Sequence, residues 1–238
     1  MTEYALYYHP IPFRGHFIRY VLAYVGVDWE EPGHDEVLRL KALPVQDQPY
    51  PFMAPPMLHH RIEDVWLAQL PAILTYLGKT HLLMPALPEG EAQVQKVIAD
   101  CNDVLEEITC DCGARMWNAE SWASFHNNRL PRWLEVFEAT ARAHRMDRKG
   151  VFLLGTSEPS LADLATAALW HTICDKMPEL DAVVRAHAPE IHALSYQIAD
   201  LARIREMRAR LDALWGNAYC GGEIEVSLRE MLKREDDT

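Results

Sequence analysis

The sequence predicts two domains of different class: an α/β unit over residues 1–80 and an all-helical unit over 91–238. Three observations carry this. Within the first eighty residues, apolar positions switch between a period of two and a helical period. From about Glu91 onward only the helical period remains. Between the two stretches, "HLLMPALPEGE" has the prolines and glycine of a linker.

The elements follow in order. "YALYY" alternates as a strand, with Tyr4, Leu6 and Tyr8 on one face and Ala5 and Tyr7 on the other. After Gly15, residues Phe17, Ile18, Val21, Leu22 and Val25 recur at helical spacing, and Gly26 ends the helix. "VDWEE" reads as a second short strand, and the proline-rich "ALPVQDQPYPFMAPP" as a loop. "MLHH" and "DVWLA" are the arms of a hairpin. "QLPAILTYLG" closes the unit as a helix, with Pro71 near its start and Gly78 at its end. The order is β-α-β, then β-β-α.

Beyond the linker, Val94, Val97, Ile98, Cys101, Val104, Leu105 and Ile108 trace one apolar helix face. Leu130, Trp133, Leu134, Phe137 and Ala141 trace another. In "PSLADLATAALW", Ser160 stands three residues before Asp163, the spacing of a capping box. Later helices are expected over Glu179–His187 and Glu190–Trp215, the second with a break.

Charge restricts the partners. With 35 acidic and 23 basic residues, the net charge is -12. Wrapping nucleic acid or lying on anionic lipid needs a basic face, so no nucleic acid and no membrane are expected as partners. Arg203, Arg205, Arg208 and Arg210 alternate with Ile204, Met207 and Leu211 and read as the solvated face of a helix. No run approaches the ~18 apolar residues of a membrane span. "MTEYALYY" lacks the basic start and long apolar run of a signal peptide. A cytoplasmic location with reduced cysteines is the expectation. No metal is expected either. Cys101 lies on an apolar helix stripe, Cys110-Asp-Cys112 is too closely spaced for the common zinc pattern, and His59-His60 shows no ligand spacing.

A βαβ-ββα unit followed by helices suggests a thioredoxin-like domain joined to a helical one, and specific residues extend the likeness. "YPFMAPPML" is similar to the P-F-x-x-x-P-x-L segment of cytosolic glutathione transferases, and "LAQLPAILTYLG" to their Q-S/T-x-A-I-L-x-Y-L helix. "PSLADLATAAL" resembles the capping box of their helical domain, and "RLPRWLEVFE" adds to the likeness. The chain thus resembles that superfamily over most of residues 3–215, in its tyrosine-type or a divergent bacterial-like form.

What the resemblance implies is a transferase joining glutathione, as co-substrate, to a small apolar electrophile, in a homodimer. The alternatives are a non-catalytic binding or scaffold protein on the same fold, or a glutathione-dependent isomerase or peroxidase. A thiol near pKa 8.5 yields little thiolate at neutral pH. Lowering it by two units takes roughly 2.7 kcal/mol, and one charge-assisted hydrogen bond supplies about 1.5–3 kcal/mol. The resemblance puts Tyr8 in that donor's place. Arg14-Gly15 resembles the R-G that follows the tyrosine in some classes, so Arg14 is a second candidate for activating the thiol. The loop "HPIPFR" holds no serine or cysteine that could serve instead.

The same likeness assigns glutathione binding to Pro55, Pro56, Gln69, Leu70 and Asp100. Three of its positions depart from the pattern. Pro55 has no N–H to give the tripeptide. Leu70 stands where a serine or threonine hydroxyl usually meets the γ-glutamyl carboxylate, leaving its backbone N–H at a helix start. Ala54 replaces a frequent glutamine. Asp103 is as accessible a candidate as Asp100 for the glutathione amine. Met116 and Trp117, with Trp122 and Phe125, are offered as lining of the electrophile site or as core.

Overall fold

The computed structural model describes residues 2–144 and 151–236, so the expected bounds at Met1 and Thr238 lie outside the described residues. β1 (Tyr4–Tyr7) alternates as its sequence predicts. Tyr4 and Leu6 enter the main core, while Ala5 and Tyr7 join a smaller one with Val37, Leu40 and Met57. α1 (Phe13–Val25) ends on Gly26, whose φ of 77° is the left-handed cap that glycine adopts without strain. β2 (Trp29–Glu30) pairs in parallel with β1.

α2 (His34–Ala42) is a helix the sequence pattern did not reveal, because only Val37 and Leu40 of its nine residues are buried. Its signal is electrostatic: Asp35 and Glu36 in the first turn, Arg39 and Lys41 in the last. β3 (Met57–His60) and β4 (Val65–Ala68) form the expected hairpin, and the sheet order is β2-β1-β3-β4. α3 (Leu70–Thr80) runs two residues past Gly78. Gly78 is not its cap but a contact point, since a Cβ there would stand 2.6 Å from Leu161 Cδ2.

α4 (Pro88–Ile108) starts three residues before Glu91, with Pro88 in the first turn where a missing N–H costs nothing. A single left-handed turn, α5 (Cys110–Gly113), follows, then α6 (Ala119–Ser124) and a π-helical turn that leads into α7 (Leu130–Ala143). α8 (Leu161–Lys176) is buried on nearly every side and packs on α1 and α4. It also packs on α10, which follows the short α9 (Asp181–His187). α10 (Pro189–Ala199) and α11 (Ala202–Trp215) are separated by the anticipated break. α12 (Gly222–Asp236) had no sequence forecast, and it buries Leu228, Met231 and Leu232.

One apolar core runs from Tyr4 to Leu232 through both parts of the chain. Arg203, Arg205 and Arg210 lie exposed on the solvent face of α11 as expected, with Arg208 half-buried, and they also make contacts. Arg203 donates to the Val25 carbonyl, Arg208 to that of Ala199, and Arg210 lies over the Trp29 ring. No helix among the described residues is long and apolar enough to cross a membrane.

Candidate functional site

Strand register assembles the site. Tyr7 pairs with Met57, and Met57 with Ala68. The next residue beyond each pair is therefore Tyr8, Pro56 and Gln69, side by side at one end of three adjacent strands. Neighbouring strands lie ~4.8 Å apart, so the row spans roughly 10 Å. The Pro55–Pro56 peptide bond in its middle is cis.

Tyr8 is buried, and its hydroxyl oxygen accepts the backbone N–H of Arg14 at 3.1 Å. Burial pushes its pKa up to about 12, against the opposing pull of the Arg14 and Arg19 guanidiniums and the N–H groups of Arg14 and Gly15. The phenol therefore keeps its proton at neutral pH. With a lone pair already engaged, that proton remains available to an acceptor. Gly15 makes the approach feasible, since a Cβ there would stand 2.3 Å from Tyr8 Cδ1.

Arg14 projects its guanidinium to Glu106 of α4 at 2.9 Å. The Cys112 thiol donates to the same carboxylate at 3.2 Å. The arginine's charge is therefore compensated, while its backbone positions the tyrosine. Arg19 is a contributor that sequence reasoning missed. It is fully buried and donates to the carbonyls of His9, Ile11 and Pro12, and in two bonds of 2.8 and 2.7 Å to Glu31. It thereby satisfies the loop that carries Tyr8 toward α1. Its only sequence signal is a charge set among Phe17, Ile18, Tyr20 and Val21.

Gln69, just ahead of α3, has φ 73° and ψ 123°, a conformation that costs a non-glycine residue about 1–3 kcal/mol. Its side chain is exposed. Leu70 is buried in the core, so its only polar donor is the backbone N–H at the start of α3. Pro71 removes the next donor. Asp100 is turned elsewhere. α4 presents Gln95 to Thr75 of α3 and Glu106 to Arg14, whereas Asp100 pairs with Lys96 at 2.5 Å on the side where Lys96 reaches Thr140 of α7. Asp103 lies between those two faces of the helix. Its carboxyl is held above the usual range first by burial and then by the charges of Asp100, Glu107 and Glu106.

Two cavities adjoin these residues. A cleft of about 460 Å³ is lined by Tyr8, Trp29, His34, Leu211, Leu214 and Trp215. Met116 and Trp117 line a different one, of about 410 Å³, together with Phe125 and Arg129. Trp117 is buried, donates its indole N–H to the Ile108 carbonyl, and meets Trp122 edge-on. The C-terminal segment joins the two regions: Tyr219 packs edge-on against Phe13, and Ser227 Oγ accepts the Trp117 N–H.

The family model for the glutathione S-transferase C-terminal domain matches residues 93–231. No curated protein matches the sequence. Solved structures do. A monomeric Na-GST-3 from the hookworm Necator americanus, described as a glutathione S-transferase, is 21% identical with a TM-score of 0.68, covering 87% of this chain and 97% of its own. The Pi-class glutathione S-transferase of Onchocerca volvulus is 19% identical at 0.68, covering 89% and 95%. A prostaglandin synthase D of Nilaparvata lugens is likewise 19% identical at 0.68, covering 87% and 97%. At these identities the likeness is one of fold: a small mixed sheet followed by a helical domain.

Proposed function

Because the chain belongs to the glutathione S-transferase family, we propose that it joins the thiolate of glutathione to small apolar electrophiles. The observation that carries this reading is the row of Tyr8, Pro56 and Gln69 at one sheet end. An extended tripeptide is about 10 Å long, the span of that row. Its thiol would lie at the Tyr8 end and its γ-glutamyl carboxylate at the start of α3. There Gln69 and the Leu70 N–H supply polar contacts and the helix dipole favours an anion.

The chemistry needs no protein nucleophile. The thiol proton leaves to solvent, the Tyr8 O–H donates to the sulfur anion, and sulfur attacks the electrophile's carbon as the leaving group departs. Tyr8 is the donor in this reading and Arg14 its positioning residue, because the guanidinium is engaged by Glu106. The apolar cleft beside Tyr8 takes the electrophile, and the Met116–Trp117 cavity is the alternative subsite. In this reading residues 1–80 bind glutathione, and 91–238 shape the electrophile's surroundings.

A specific observation favours a second reading, a glutathione-transferase-like binding protein without catalysis. Pro55 lacks the N–H that a bound peptide would use, and Leu70 lacks the side-chain hydroxyl that would meet the γ-glutamyl carboxylate. Each missing neutral hydrogen bond costs about 1 kcal/mol of affinity. A glutathione-dependent isomerase or peroxidase would use the same activated thiolate. Calorimetry with glutathione, followed by a conjugation assay with an aryl halide, separates them. Weak binding with turnover supports the transferase. Binding without turnover of the halide, a peroxide or an isomerisable ketone supports the binding protein, and no heat at millimolar glutathione rejects both.

The reading extends to a cytoplasmic detoxifying homodimer. A groove of about 510 Å³ between α4 and α7, lined by Ala92, Ala139, Ala143 and Leu154, lies on the side to which Asp100 is turned. A second copy seated there would take Asp100 toward its own glutathione.

A further inference from the structure

Away from the sheet end, the last turn of α8 and the starts of α9 and α10 bring three ligand-type side chains together. Cys174, Asp181 and His192 each offer one atom, and those atoms all lie within 4.8 Å of one another. They come from three helices, so the grouping is tertiary and the spacing 174, 181, 192 matches no common sequence pattern. His192 Nε2 lies 2.8 Å from Asp181 Oδ1, and the Tyr196 hydroxyl donates to the same oxygen at 2.9 Å. His192 and Tyr196 are one turn apart on α10 and their rings are 4.6 Å apart.

We propose that Cys174, Asp181 and His192 form a zinc-class metal site. The donor set decides the class. A thiolate, an imidazole and one carboxylate suit a borderline divalent ion such as zinc, whereas calcium and magnesium take oxygen alone. The charges match: thiolate and carboxylate together carry −2, and the imidazole binds neutral. Zinc bonds of about 2.0–2.3 Å place tetrahedral ligand atoms roughly 3.3–3.6 Å apart. Reaching that triangle opens the His192–Asp181 pair by about half an ångström and closes the widest separation by about an ångström.

Burial is graded in the direction that access requires. Cys174 is buried, while His192 and Asp181 are partly exposed, with side-chain exposures of 19% and 29%. Solvent can supply the fourth ligand from that side. The Tyr196 hydroxyl, donating to Asp181 from outside the three ligands, fixes the orientation of the carboxylate. On binding, the Cys174 S–H bond breaks and its proton passes to solvent, while a metal–sulfur bond forms. The His192 proton moves to Nδ1, freeing Nε2, and no group is oxidised or reduced. The metal would tie α8, α9 and α10 together.

Cobalt(II) is the probe, because a thiolate ligand gives it a charge-transfer band in the near ultraviolet. Full-length protein stripped with chelator should bind one equivalent with that band and with tetrahedral visible absorption, and zinc should displace it. Cys174→Ala should abolish the band. His192→Ala, at a partly exposed position, should weaken cobalt binding by more than about tenfold and serves if the cysteine variant fails to fold. Cys112→Ala should leave the band intact. No charge-transfer band with excess cobalt, a band that survives Cys174→Ala, or one lost with Cys112→Ala would each overturn the assignment.

Discussion

Tyr8 and Gln69 stand at opposite ends of one short row and do different work in it. Tyr8→Phe removes a hydroxyl and leaves the ring that packs on Gly15. It should lower kcat about ten- to a hundredfold, the ~1.5–3 kcal/mol of one hydrogen bond to a charged sulfur. Glutathione affinity at low pH, where the thiol is neutral, should barely move. Full activity in this variant with none in Arg14→Ala would make the arginine the donor. Gln69 carries strain instead. Gln69→Gly should relieve about 1 kcal/mol or more of backbone cost and raise the melting temperature, yet weaken glutathione binding. Calorimetry and a thermal melt test the pair, and a lowered melting temperature would mean that Gln69 is not strained. Alternation alone put Tyr8 and Tyr7 on opposite faces. The left-handed turn at Gln69 was not legible, because glutamine carries no local signal for positive φ.

Among the elements, α8 was the most legible, and its cap shows why. Asp163 is fully buried and accepts the Ser160 N–H at 2.8 Å, the Ser160 hydroxyl at 2.6 Å and the Leu153 N–H at 2.9 Å. The first two follow from the Ser-x-x-Asp spacing. The third is tertiary, and it makes Asp163 a clasp on the preceding segment. Asp163→Ala should therefore cost about 2–4 kcal/mol, above the ~0.5–2 kcal/mol of a lone cap, because buried donors lose their acceptor. Denaturant unfolding measures it, and an unchanged midpoint would reject the clasp. α2 and α12 escaped the sequence reading for different reasons. α2 buries only Val37 and Leu40, too narrow a face to mark a helix. α12 instead carries Ile224, Leu228, Met231 and Leu232 at helical spacing, a stripe that was present in the sequence and was passed over.

At the scale of the molecule, buried histidines set the response to acid. Burial first, then nearby arginines and lysines, holds His16 well below the usual histidine range; burial and the same kind of charges push His171 to about 4. Unfolded, both would titrate near 6.5. Below that pH the unfolded chain binds protons that the folded chain refuses, so stability falls as pH drops. Each group contributes up to about 1.4 kcal/mol per pH unit until its folded pKa is reached. Stability should decline between pH 7 and pH 5, and His16→Gln should flatten the decline; an unaltered slope would free His16 of this role. Light scattering tests the proposed dimer: twice 27.3 kDa is expected, and a 27.3 kDa species alone at micromolar concentration would reject it. The sequence by itself determined the two classes of domain, the strand faces, most helix bodies and the capping box, since each rests on contacts within a few residues or on periodicity. Only tertiary structure decided that Tyr8, Pro56 and Gln69 share one edge, that Arg19 sustains their loop, and that Cys174, Asp181 and His192 meet. Those arrangements depend on strand register and helix packing between residues far apart in the chain, which no local pattern encodes.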